Sequence, residues 1–352
     1  MSLVGVIILV SGLSSAVFEL VGGELCDRLG RRPLVLASVL TRSCVYIIMA
    51  LLVGYSAPVW SIALAFIISQ AVGAAGRPAT QAMVTDLAPP RRLTEAFGVL
   101  RIGINVGWAA GPALGGYLAG YLPYAWLFGV AAGISVVTAI VAFYLKESIV
   151  QRNNKTDFKG LFKVSHNHAF MLFISLNLIL FLAMGQMMST LSIYTVDRIG
   201  FTTAQYGLLL TINGLFVILL QYPIAQNIDR ISKSRILVLG CLLYSAGYVL
   251  FGWVGSFGLA VAAMIIVTLG EISFAPAAMS IVGEIAPRGQ KGRYMGFFGL
   301  NQVVGISVAP LFGGILLDVF YYNHFAIWGI ISLMGLFGAI AFAWWARRYK
   351  VN

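Results

Sequence analysis

Residues 23–32 read Gly23-Glu24-Leu25-Cys26-Asp27-Arg28-Leu29-Gly30-Arg31-Arg32. The stretch joins two apolar runs of about 20 residues each, the length a helix needs to cross a bilayer core of about 30 Å. Gly30 permits a tight turn. Asp27 is placed to meet a helix N-terminus or the nearby arginines. Arg28, Arg31 and Arg32 can pair with carboxylates or with anionic lipid heads. Taken alone, the stretch also fits a plain charged anchor at a membrane surface, so its reading depends on what flanks it.

Outward from this turn the chain stays apolar. Of 352 residues, 60% are hydrophobic and 10% charged, with a mean hydropathy of +0.91. A soluble domain carries about 25% charged residues, so this chain is dissolved mainly in lipid. Eleven spans are expected, at roughly 3–25, 34–54, 58–84, 95–120, 124–146, 169–194, 205–228, 235–254, 257–283, 293–319 and 324–346. A β-barrel would instead show alternating segments of about 10 residues, and the sequence has none. The run at 3–23 is too long for a signal peptide and has no Lys or Arg before it.

The net charge of +11 collects in alternate connections. One holds Arg28, Arg31 and Arg32, and the next Arg91 and Arg92. The long one holds Lys146, Arg152, Lys155, Lys159 and Lys163. Arg230, Lys233 and Arg235 follow, then Arg288, Lys291 and Arg293, then Arg347, Arg348 and Lys350. Basic connections mark the cytoplasmic side, which puts the C-terminus inside and Met1 outside. This topology explains the charge without nucleic acid, for which no binding motif is present. In the long connection Phe158, Leu161 and Phe162 share a face away from Lys159 and Lys163, the pattern of an interfacial helix.

Cys26, Cys44 and Cys241 sit in or beside apolar segments with no metal or disulfide spacing. His166, His168 and His324 fall at helix ends. With no metal set, nucleotide loop or catalytic triad, the expectation is a protein that is not an enzyme and needs no cofactor.

The chain also repeats itself. At an offset of 202, Gly5, Gly12, Leu13, Asp27 and Arg28 fall on Gly207, Gly214, Leu215, Asp229 and Arg230, and Glu19 falls on Gln221. At 198, Pro78, Gly98 and Gly107 fall on Pro276, Gly296 and Gly305, while Pro112, Gly115 and Gly116 fall on Pro310, Gly313 and Gly314. Two parallel halves follow: residues 1–146 with five spans and 169–352 with six, joined by 147–168. The span at 169–194 has no partner in the first half. Its counterpart is expected before residue 1, through a start placed upstream rather than a true truncation.

A second motif lies in the span 95–120: Gly107, Gly111, Pro112, Gly115 and Gly116. Small residues at this spacing let helix backbones approach, and Pro112 frees a carbonyl. Together the two motifs resemble the major facilitator superfamily over essentially the whole chain. The first resembles its cytoplasmic signature between helices 2 and 3. The second resembles the helix-5 motif of drug:proton antiporters. The resemblance implies an all-α, twelve-helix bundle of which the eleven spans are helices 2 to 12. It also implies alternating access, with Asp27 and its arginines as an interdomain latch. One feature departs from that branch: Ile67 stands where it often carries an arginine, and an arginine appears instead as Arg77, nearer the cytoplasmic end; Arg101, four residues before Asn105, resembles a pattern of a subgroup of bacterial exporters.

Charges inside a membrane usually face a partner or a cavity. Glu19, Arg42, Arg77 and Arg101 are expected to form one network with Asn105, with Glu19 as either a structural member or a proton carrier. Glu271 lies near mid-bilayer, where no basic residue of the second half matches its depth. Burial without a partner favours a protonated carboxylate, so Glu271 is a candidate for proton coupling or for binding a cationic substrate. Asn177, Gln186, Asn213 and Gln221 are candidate cavity-lining residues, with Met184, Met187 and Met188 as a soft apolar wall.

The expected function is proton-coupled efflux of hydrophobic or cationic small molecules by a monomer in the cell membrane. The alternatives are an importer or facilitator of a polar metabolite, or an inactive remnant.

Overall fold

The computed structural model describes residues 3–89, 91–148, 164–228 and 231–350. Among these, every regular element is helical. The long helices are α1 Leu3–Leu29, α2 Arg31–Gly54, α3 Val59–Leu87, α4 Leu93–Ala119, α5 Tyr124–Tyr144 and α6 His168–Gly185. They continue as α7 Thr203–Ile228, α8 Lys233–Phe251, α9 Phe257–Ile285, α10 Lys291–Val319 and α11 His324–Tyr349. Each expected span has its helix. Ten of the eleven are long and apolar enough to cross a membrane. The other, α4, has 27 residues, but its glycines, Arg101 and Asn105 lower its hydropathy. The expected interfacial helix and the Asp229-Arg230 pair lie outside the described residues.

Local chemistry sets the helix ends. Gly30 alone separates α1 from α2, at φ 101°, a left-handed conformation that a Cβ would strain. Pro58 and Pro123 stand immediately before α3 and α5, where a missing N–H costs nothing. The Asn167 and Asn323 side chains cap α6 and α11, accepting from the N–H groups of Phe170 at 3.1 Å and Ala326 at 3.0 Å. After Gly185 the α6 span passes through turns, resumes over Thr190–Ile193 and ends in a π-helical turn, Tyr194–Arg198.

By contact the chain forms two compact units. The first comprises Met1–Ala88, Ala110–His166 and Val282–Val303; the second comprises Pro89–Ala109, Asn167–Ile281 and Val304–Asn352. Each unit thus takes a segment from the other sequence half. In lipid, helices associate through close packing rather than hydrophobic exclusion, and both units show it. In the first, a Cβ on Gly22 would lie 2.6 Å from Ala75 Cα, and Cys26, Leu34, Ala79 and Ala82 form a buried cluster. In the second, a Cβ on Gly335 would lie 2.8 Å from the Cys241 carbonyl. There Tyr248 stacks between Tyr244 and Trp328, with ring centroids 6.1 and 6.0 Å apart.

Candidate functional site

In the first unit the residue 23–32 stretch meets the start of α10. The Asp27 carboxylate accepts from the backbone N–H groups of Gly292 and Arg293, both at 2.9 Å, so it caps the positive end of that helix. The approach is possible because two glycines face each other: a Cβ on Gly23 would lie 2.6 Å from the Gly292 carbonyl oxygen. Arg293 forms a two-pronged pair with Glu24, Nη2 to Oε1 at 3.0 Å and Nε to Oε2 at 2.5 Å. Arg31, 1% exposed, reaches Asp86 at 3.0 Å and Asp27 at 3.4 Å. Asp86 also takes Lys291 at 2.9 Å and the Ser148 hydroxyl at 3.0 Å. The Glu147 carboxylate receives the Arg31 N–H at 3.0 Å and the Arg32 N–H at 3.2 Å. The Arg32 guanidinium donates to the Phe143 carbonyl, and Arg28 is exposed. Four carboxylates, Glu24, Asp27, Asp86 and Glu147, thus hold the ends of α2, α3, α5 and α10 around α1.

Deeper in the same unit, Glu19 pairs with Arg77 at 2.6 Å. Gly299 leaves room for the Glu19 carboxyl. Arg42 stands apart from this pair. Its guanidinium lies 5.3 Å from the Tyr46 ring centroid and against Gly73, whose added Cβ would lie 3.2 Å from Nη1.

In the second unit Arg101 of α4 meets Glu271 of α9. Arg101 Nη2 donates to Glu271 Oε1 at 2.6 Å, and Nη1 reaches the Glu271 carbonyl at 3.4 Å. Asn213 of α7 donates to Glu271 Oε2 at 3.0 Å and to the Thr268 hydroxyl at 2.9 Å. A Cβ on Gly98 would lie 2.9 Å from Ala225 of α7, which lets α4 come close enough for the pair to form. Both charged side chains are largely enclosed, at 10% and 13% exposed.

Three expectations are corrected. The single network of Glu19, Arg42, Arg77, Arg101 and Asn105 divides: Arg101 belongs with α7 and α9, and among the described residues Asn105 bonds only back to the Arg101 carbonyl, at 3.0 Å. Glu271 is not unpaired, because the other sequence half supplies its arginine. Asn177, Gln186 and Gln221 do not line a cavity but are fully enclosed, with amides donating to the carbonyls of Phe173, Ala309 and Ile272. Of the candidate methionines, Met187 is buried and Met188 exposed.

The glycine motifs of the two halves also differ. A Cβ on Gly107, Gly111, Gly115 or Gly116 would meet nothing within 4 Å, so no packing among the described residues uses them; the Pro112 side chain lies outside the described residues. In α10, by contrast, a Cβ on Gly305 would lie 2.6 Å from Phe181, and one on Gly313 would overlap Thr190 and Gln186 of the α6 span.

Sequence reasoning did not single out Asp86, Glu147, Lys291 or Arg293. The available signal was sign: Asp86 and Glu147 are acidic residues beside otherwise basic connections, where an acid calls for a partner.

The family model described as Major Facilitator Superfamily matches residues 1–204 and 196–352. The tetracycline resistance protein, class B, of Escherichia coli is 26% identical over 342 residues, covering 94% of this chain and 82% of that protein. The Na(+), Li(+), K(+)/H(+) antiporter of Planococcus maritimus is 23% identical over 341 residues, 88% of this chain and 80% of its own. Among solved structures, the human organic anion transporter MFSD10 superposes with a TM-score of 0.78 at 19% identity, covering 95% of this chain and 83% of that one.

Proposed function

We propose, from the premise that this chain belongs to the Major Facilitator Superfamily, that it exports hydrophobic small molecules in exchange for protons. It is a membrane transporter of that family, and the direction and the coupling ion are our reading. The relatives named for tetracycline resistance and for cation/proton antiport support it. We also take the basic connections as cytoplasmic and the cell membrane as the location.

The Arg101–Glu271 pair at 2.6 Å carries the proposal. It ties a first-half helix to a second-half helix in an enclosed setting. A proton added to Glu271 removes the negative charge and leaves Arg101 buried without its counter-ion, a strongly unfavourable state. Withdrawal of α4 from α9 relieves it. Proton binding therefore favours opening of this contact, and loss of the proton favours closing. The cationic half of the expected substrate range is dropped, because Glu271 is already neutralised by Arg101.

The test is transport of tetracycline and amphipathic dyes in proteoliposomes with an imposed pH gradient. Wild-type transport is expected to follow the gradient, and Glu271→Gln transport is expected to ignore it. Gradient-driven transport by Glu271→Gln equal to wild type would overturn the assignment.

A further inference from the structure

We infer that Arg42 is the recognition point for an anionic group on the substrate. This rests on the transporter reading and adds a substrate class to it.

Deep within the spans the described carboxylates are already engaged. Glu19 faces Arg77, Glu24 faces Arg293, and Glu271 faces Arg101. Arg42 has no ion pair and no hydrogen bond among the described residues, and its buried Nε lacks an acceptor. An arginine within a membrane costs several kcal/mol and ordinarily marks a partner or a ligand pathway.

Two positions place the guanidinium near mid-membrane. Arg42 lies midway along α2, Arg31–Gly54. The guanidinium lies against Gly73, midway along α3, Val59–Leu87. Lipid head groups are roughly 15 Å away from that depth, beyond the reach of the side chain. Nor does Arg42 face lipid. It continues the inward stripe of Arg31, Leu34, Ser38, Val45 and Met49 at helical spacing, whereas Leu40, Ile47, Ile48 and Leu51 face outward.

The seat is shaped for the group it holds. Gly73 offers bare backbone, and a methyl there would meet Nη1 at 3.2 Å and Cζ at 3.3 Å. Tyr46, one turn along α2, lies 5.3 Å from the guanidinium carbon and supplies cation–π attraction without satisfying any N–H donor. Among the described residues the planar fork of donors meets no acceptor, so it is open to one from a ligand. Carboxylate, sulfonate and phosphate fit that fork bidentately. An apolar cluster that includes Met49, Ala65 and Phe128 packs beside Tyr46, so the fitting ligand is an amphipathic anion with an apolar body.

The test is direct binding to the purified full chain in nanodiscs, with 1-naphthalenesulfonate and with 1-naphthylmethylammonium, which share a ring and differ in charge. The wild type is expected to prefer the sulfonate by at least about 10-fold, and Arg42→Gln to lose that preference while ammonium binding stays level. Arg42→Lys keeps the charge without the fork, and Gly73→Ala crowds the seat; both are expected to weaken the sulfonate several-fold. If Arg42→Gln does not fold, these two variants decide. Sulfonate affinity unmoved by the substitutions, or both probes bound equally by the wild type, overturns the inference. Arg42-dependent binding without gradient-driven transport would instead count against the antiport reading alone.

Discussion

Asp27 closes the N-terminus of α10: its carboxylate oxygens take the N–H groups of Gly292 and Arg293, 2.9 Å each. The residues lie far apart in sequence, and the contact joins the first-half signature stretch to a helix of the second half. One carboxylate satisfies two donors that the helix cannot satisfy itself, and it adds favourable charge at the positive end.

Asp27→Asn removes the charge and one of the two acceptor oxygens. A loss of about 1–2 kcal/mol at this contact is expected. Cys26 reports it, because the thiol is free and 0% exposed beside Gly292. In a Cys44→Ser background, which removes the exposed thiol, alkylation of Cys26 by N-ethylmaleimide should be slow in the parent and faster with Asp27→Asn. Equal rates would show that the cap does not hold the contact closed.

The Gly23–Gly292 approach leaves no space for a side chain, since a Cβ on Gly292 would lie 2.5 Å from the Gly23 carbonyl oxygen. Gly292→Ala is therefore expected to separate α1 from α10 at a cost of about 1–3 kcal/mol. Faster Cys26 alkylation and a lower unfolding temperature in detergent should appear together.

Removing one member of the Arg101–Glu271 pair is expected to cost about 3–5 kcal/mol, because the other charge stays buried. Replacing both, as Arg101→Gln with Glu271→Gln, should recover much of the stability. A double-mutant cycle by thermal unfolding measures the coupling. Additive losses would mean the two side chains do not pair.

The two glycine motifs should respond oppositely to alanine. Gly107→Ala and Gly111→Ala enter open space and are expected to change the stability of this chain by less than about 0.5 kcal/mol. Gly305→Ala and Gly313→Ala collide with the α6 span and should each cost about 1–3 kcal/mol. Unfolding temperatures of the four variants, measured side by side, separate the cases.

Helix number, approximate helix ends and the repeat were legible in the sequence. Each follows from something local or periodic: apolar runs of bilayer length, Gly30 at a one-residue turn, Pro58 and Pro123 before helices, and recurring Gly and Pro at fixed offsets. Lipid enforces this legibility, since a spanning segment must satisfy its backbone within its own helix. Asp27 could also be assigned its kind of partner, a helix N-terminus or an arginine, because its chemistry allows little else.

Which partner each charge takes was not legible. Depth along a span can be counted from the sequence, but the azimuth at which one helix meets another cannot. Counting placed Arg101 near Glu19 and left Glu271 alone. Packing at Gly98 turned α4 toward α7 and α9 and gave Arg101 to Glu271. The same step left Arg42, drawn beforehand into one network, as the intramembrane cation without a carboxylate among the described residues. The sequence alone determined that a turn at residues 23–32 joins two membrane helices. Only the tertiary structure decided that this turn closes on Gly292, because that contact depends on two bare glycine backbones meeting face to face.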